Sequence, residues 1–159
     1  MRPEPRQRID RKALSVWRIS AGLNALFYLA MLGAFWFVQR FFDIPWWVIA
    51  LAISLVVVMI IMSIFIVPAM QWKRWRFEVH EHEIDIQRGI FIKKRTLVPM
   101  VRVQHVDTKQ GPILQRYHLS TVIISTAATV HEIPALDAEQ ADQLRDYISK
   151  LARVSEDDV

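Results

Sequence analysis

The sequence predicts an α+β protein: a two-helix transmembrane hairpin, then a small antiparallel β-structure closed by one C-terminal helix. Three observations predict it. Two runs, residues 19–39 and 44–72, hold no formal charge. From residue 75 apolar and polar residues alternate in short runs. Beyond residue 137 the apolar residues fall at helical spacing. A length of 159 residues suits a small domain plus an anchor.

The first run needs a bilayer. A helix of about 20 apolar residues covers the hydrocarbon core, and both runs meet that length. The apolar core of the first is longer than that of a signal peptide. The residues after it, Gln39-Arg40-Phe41-Phe42-Asp43, offer no small-residue cleavage site, so it reads as an uncleaved helix. The connection at 39–43 is short, which makes the two helices an antiparallel hairpin. Both chain ends then face one side. Six basic residues precede the first span, and Lys73, Arg74 and Arg76 follow the second. The positive-inside rule makes that side cytoplasmic and leaves Arg40 in the outer loop. Trp17, Trp72 and Trp75 fall at the expected inner boundary, and Phe41, Phe42, Trp46 and Trp47 at the outer one. Aromatic rings favour the headgroup level, so these residues read as two belts. Asn24 is the strongly polar residue inside the first span and the candidate for packing against the other helix or another subunit. Neither span carries an Asp, Glu, Lys, Arg or His, which suits an anchor and not a transport pathway.

The cytoplasmic domain follows. Phe77 and Val79 alternate with Arg76 and Glu78; Ile84 and Ile86 alternate with Glu83, Asp85 and Gln87. Period-2 alternation predicts strands with one buried face. His80-Glu81-His82 is the turn between them. Further strands are expected at 90–99, 101–108, 120–127 and 129–134, with Gly111-Pro112 punctuating the middle. Asp137 is a good helix N-cap, with Gln140 three residues later. Ala141, Leu144, Ile148 and Leu151 form one apolar stripe, which needs a sheet to cover. The organisation is therefore a basic arm (1–18), the hairpin (19–72), the domain (73–154) and an acidic tail (155–159).

Composition removes several functions. The chain has no cysteine, which excludes a disulfide scaffold, a Cys-based zinc site and a thiol nucleophile. Its four glycines stand too far apart for a phosphate cradle. The net charge of +4 resides in the arm, while residues 72–159 balance thirteen basic against thirteen acidic side chains. A nucleic-acid binder would carry its basic excess on the folded domain, so no nucleic acid is expected. No catalytic motif is found, and His80-Glu81-His82-Glu83 lacks the H-E-x-x-H spacing. No catalytic residue, metal ligand or cofactor is assigned.

One segment carries a family resemblance. Val98-Pro99-Met100-Val101-Arg102-Val103-Gln104-His105-Val106, then Gln110-Gly111-Pro112-Ile113-Leu114-Gln115-Arg116, is similar to the bacterial membrane-anchored PH-like domain family, the YdbS-like proteins. Ser125-Thr126-Ala127 and Ile133-Pro134 resemble its next strand pair. His118 and Ala128 stand where the family often has glycine. The resemblance implies a PH-like β-sandwich or barrel and a protein of the bacterial inner (cell) membrane. It also implies a larger membrane partner with several PH-like domains, or self-assembly into a homo-oligomer.

Two surfaces are candidates. Lys93, Lys94 and Arg95 follow Gly89-Ile90-Phe91-Ile92 at an expected hairpin tip and could meet an anionic leaflet. Arg102, Gln104, Gly111 and Arg116 are the polar and glycine positions of the family motif and the candidate partner surface. Arg102 and Gln104 are expected on one face of a strand. The function expected is a non-enzymatic interaction or assembly module, with lipid-headgroup binding as the alternative.

Overall fold

A computed structural model describes residues 3–42 and 44–157. Readings that fall on Arg2, Asp43, Asp158 and Val159 lie outside the described residues. The chain divides into two units, 17–70 and a second built from 1–16 with 71–159.

The first unit is the hairpin. Helix α1 (Ala13–Val38) runs into a tight 3-10 turn at Gln39–Phe41, and helix α2 (Trp46–Ile61) returns. The Arg18 guanidinium lies 5.9 Å from the Phe65 ring, so the start of one helix sits beside the end of the other. That is the antiparallel arrangement expected from the short connection. At the opposite end Arg40 stacks on Trp36 at 5.0 Å. Both helices are long and apolar enough to span a membrane, and almost none of their surface is buried within the protein. The second helix widens into a π-turn at Met62–Ile66 before continuing as α3 (Val67–Arg74). Pro68 is the cause. It has no N–H to give to the carbonyl four residues back, and its ring crowds that turn.

The second unit is an α+β, PH-like sandwich. Its first sheet has the order β1-β2-β3-β4, from β1 (Gln7–Arg8), β2 (Arg76–Val79), β3 (Glu83–Arg88) and β4 (Lys94–Pro99). The second has the order β5-β6-β7, from β5 (Val103–Lys109), β6 (Leu119–Thr126) and β7 (Val130–Asp137). All pairs are antiparallel. Ile84, Met100, Leu119, Val122, Ile124, Ile133 and Ile148 are fully buried. A short helix, α4 (Pro112–Arg116), bridges the β5–β6 connection, and α5 (Ala138–Asp157) packs on the second sheet. The Asp137 carboxylate accepts the Glu139 N–H at 3.1 Å, the expected N-cap. Ala141 and Ile148 are fully buried beneath α5, so the predicted stripe meets its sheet. The helix continues through Asp157, into the segment read as an acidic tail.

β1 was not legible in the sequence. Gln7 pairs with Phe77 and Arg8 with Arg76, which brings the basic arm into the first sheet. Ile9 and Ala13 are buried beside it. The arm is held further by a bulge in β7. The register slips between Ser120 and Val122, Ala135 takes φ 52°, and the Ala135 carbonyl accepts the Asp10 N–H at 3.1 Å. A β-bulge frees a backbone group from the ladder, and here the arm takes it.

Three expectations need correction. Trp75 is 8% exposed and part of the domain interior, so it does not belong to an aromatic belt. The strand expected from residue 90 begins only at Lys94. Arg102 closes a 3-10 turn at Met100–Arg102 and does not share a strand face with Gln104. The turn forms because Met100 is drawn into the core, with its N–H donated to the His82 carbonyl at 2.9 Å.

Candidate functional site

The first sheet places the basic run Lys93, Lys94 and Arg95. Strand alternation splits it. Arg95 points to the outer face of the sheet, where its Nε lies 3.0 Å from both carboxylate oxygens of Asp85, itself 2% exposed. A second nitrogen of Arg95 donates to the Pro3 carbonyl at 2.8 Å. The hydrogen bonds it donates to Asp85 raise the Arg95 pKa above its ordinary value. Lys93 pairs with Glu4 at 3.1 Å, and Arg76 lies 3.4 Å from the same carboxylate. Glu4 is consequently held below the usual carboxylate range, first by the Lys93 hydrogen bond and then by the charges of Lys93 and Arg76. Two of the three basic residues thus fasten the N-terminal arm across the sheet.

Lys94 points the other way, toward the second sheet. It stands directly opposite Arg88 in the β3–β4 register, on the face that carries Ile84, Ile86 and Val98. Like charges opposed across a ladder repel. His131 of β7 joins them from the second sheet. Burial first, and then the charges of Arg88 and Lys94, push its pKa below the ordinary value. The sequence alone did not suggest Arg88 and His131, because the three residues come from three strands. Inner-face alternation on β3 and β4 was the available signal for the first pair.

The connection between β3 and β4 is a projecting tip. Gly89 has φ 123°, and a Cβ there would lie 1.9 Å from the Ile92 carbonyl oxygen. Only glycine fits so tight a turn. The Arg74 guanidinium donates to the Ile90 carbonyl. Phe91 and Ile92 stand at the apex, 85% and 83% exposed.

The family-motif residues separate into two places. Arg102 and Gln104 line a cleft of about 580 Å³, with Thr96, Leu97, His131 and the 126–129 turn. Gln104 is the extra residue where the β5 register slips between Val103 and His105. A bulge re-aims a side chain, and Gln104 reaches the cleft this way. The facing turn is closed by Thr126, whose N–H and hydroxyl both reach the Thr129 carbonyl, at 2.9 and 2.8 Å. Gly111 is the N-cap residue of α4 and Arg116 its last residue, beyond the far end of β5. Five residues of strand, 105–109, separate the two groups by about 17 Å. Gly111 has φ −82° and open space around it, so neither backbone nor packing requires glycine there.

The two departures from the family pattern differ in consequence. His118 adopts φ 55°, the left-handed region that suits glycine, whereas Ala128 does not. Asn24 lies on the exposed surface of α1, next to the buried Ala25. Among the described residues no group of three or more acidic or histidine side chains gathers to hold a metal.

Fold and site together define a membrane protein with a PH-like domain. The chain belongs to the bacterial PH domain family, whose model matches residues 25–152. It is similar along its whole length to the UPF0699 transmembrane protein YdbS of Bacillus subtilis (strain 168), at 50% identity over 159 residues and 100% of both chains. It is also similar to the UPF0699 transmembrane protein YdbT of the same organism, at 25% identity over 96 residues. That match takes in 57% of this chain and 20% of the longer one. No solved structure matches at a significant level.

Proposed function

We propose that this chain is a non-enzymatic interaction module of the bacterial cell membrane. Both termini and the PH-like domain are cytoplasmic, and the cleft beside β4 receives a larger membrane protein with related domains. One observation carries the reading. Arg102 and Gln104, from the motif, meet the 126–129 turn in a single cleft. The cleft runs along β4, an edge strand of its sheet, where Leu97 is exposed. An open edge beside a pocketed surface is suited to taking another chain. The likeness to a transmembrane protein of which this chain covers only 20% supports a larger protein carrying the same unit. The excess of basic residues flanking the hairpin ends supports the orientation.

The test is a mild-detergent pull-down of the full-length chain, with mass spectrometry and the mass of the eluted particle. A stoichiometric membrane protein should co-elute with the wild type and be lost with Arg102→Glu combined with Ala128→Arg. A homogeneous homo-oligomer lost in the same variant would make the occupant a second copy. A monomer carrying lipid alone would overturn the reading.

A second reading, contact with an anionic leaflet, is favoured by the pairing of Arg88 with Lys94 on the inner face. It replaces the Lys93, Lys94 and Arg95 patch, of which Lys93 and Arg95 are already engaged.

A further inference from the structure

We propose that Phe91 and Ile92 form a wedge that enters the acyl boundary of the membrane holding this chain's own spans, with Arg88 and Lys94 meeting lipid phosphates at its base. The proposal rests on the leaflet reading given above and adds the part that does not depend on charge.

Four observations lead there. First, the two apex side chains are the most exposed large apolar residues of the domain among the described residues. Val130, Val154, Val101, Tyr147 and Leu97 follow at 57%, 52%, 50%, 47% and 44%. Water is a poor solvent for two adjacent side chains of that size.

Second, the exposure is built in. The Gly89 turn leaves no room for another residue, Arg74 holds the Ile90 carbonyl, and Lys93 is anchored to Glu4. These ties, on both sides of the apex, keep Phe91 and Ile92 from folding back onto the sheet.

Third, the tether sets the distance. Arg74 comes two residues after Trp72, where the charge-free run of the second span ends. Two residues of chain reach about 7 Å at most. A loop bonded to Arg74 is therefore held within reach of the headgroup layer.

Fourth, the base of the tip is basic. Arg88 and Lys94 oppose each other in register, and an anion between them relieves their repulsion. An apolar apex above a basic collar matches the layering of an anionic leaflet, with acyl chains below phosphates. A protein partner would more readily be met by a groove or a flat face than by a projecting two-residue apex.

The chain has no cysteine, so Ile92→Cys accepts a single environment-sensitive fluorophore. Phe91→Cys serves as a second site, and Glu81→Cys, in the exposed turn between β2 and β3, as the aqueous control. The full-length protein is placed in nanodiscs of phosphatidylcholine alone or mixed with phosphatidylglycerol. Nitroxide on the acyl chains quenches from the lipid side, and iodide from water. Labels at 91 and 92 should shift to the blue, lose intensity to acyl-chain nitroxide and be shielded from iodide; the label at 81 should do the reverse. Labels at 91 and 92 that behave like the one at 81 would overturn the wedge. Labels shielded from both quenchers would also overturn it, because protein would then cover the tip. The two lipid compositions separate the readings. Insertion equal in both, and unchanged by Arg88→Gln with Lys94→Gln, supports the wedge while removing the phosphate contact. Insertion found only with phosphatidylglycerol, and lost in that variant, supports both.

Discussion

Apolar side chains meet opposite fates in the two units. In the hairpin, Leu26, Phe27, Leu51 and Leu55 are 62–64% exposed. In the domain, Ile84, Leu119, Ile124, Ile133 and Ile148 are not exposed at all. The residue types are the same; the solvent is not. A continuous uncharged helix satisfies its backbone internally and offers its side chains to lipid. Alternating strands have one dry face and must find a second sheet to cover it. The tip at Phe91 and Ile92 has the surface chemistry of the hairpin although it belongs to the domain.

The largest expected effect follows from that contrast. Ile124→Ala should cost the domain about 3–4 kcal/mol, because it opens a cavity in a packed interior. Leu55→Ala, on the exposed surface of α2, should leave domain unfolding unchanged. Near-UV circular dichroism of denaturant titrations in detergent would read both. Equal losses would mean that Leu55 faces protein and not lipid.

Next in size is the Asp85–Arg95 pair. Asp85→Asn should destabilise the domain by less than breaking a fully buried pair would, because the Arg95 side chain is 32% exposed and can turn toward water. It should also loosen the arm, since Arg95 holds the Pro3 carbonyl. Faster hydrogen exchange at the Gln7 and Arg8 amides, with core amides less affected, is the expected signature. Protection of β1 equal to the wild type would show that its strand pairing, the Asp10 bond and the Glu4 pairs hold the arm without Arg95.

The smallest effect is a pH dependence. The folded state lowers the pKa of both Glu4 and His131 below their ordinary 4.5 and 6.5. The unfolded chain therefore binds more protons at each site as pH falls. His131 contributes fully above its ordinary value, and that stability is lost as pH drops through the lowered one. Glu4 follows in the same sense at lower pH. Denaturation midpoints should decline from pH 7 toward pH 4, and His131→Gln should flatten the portion near pH 6. A midpoint that rises on acidification would contradict the cationic surroundings assigned to His131.

Much of the fold was legible because its signals are local. Charge-free length marks the spans, alternation marks β2 and β3, and a β-branched run marks β6. The capping aspartate and the apolar stripe mark α5. What was missed depends on distant pairing. β1 is two polar residues long and has no pattern of its own; β2, almost 70 residues later, makes it a strand. Trp75 follows the last basic pair of a membrane helix and reads as a belt residue until the domain closes around it. At the candidate site, Lys93, Lys94 and Arg95 form one patch in sequence. In the fold they form two, because Glu4 and Asp85 claim the outer face while Arg88 and His131 share the inner one.

The sequence by itself determined that this is a membrane protein with a PH-like domain, since those features arise from hydropathy, period and a contiguous motif. The tertiary structure decided which charges are free to meet a ligand, that Arg102 and Gln104 share a cleft with the 126–129 turn, and that the N-terminal arm completes the first sheet. The physical reason is that burial and ion pairing are properties of neighbours in space. Strand register and two β-bulges choose those neighbours from segments far apart in the chain.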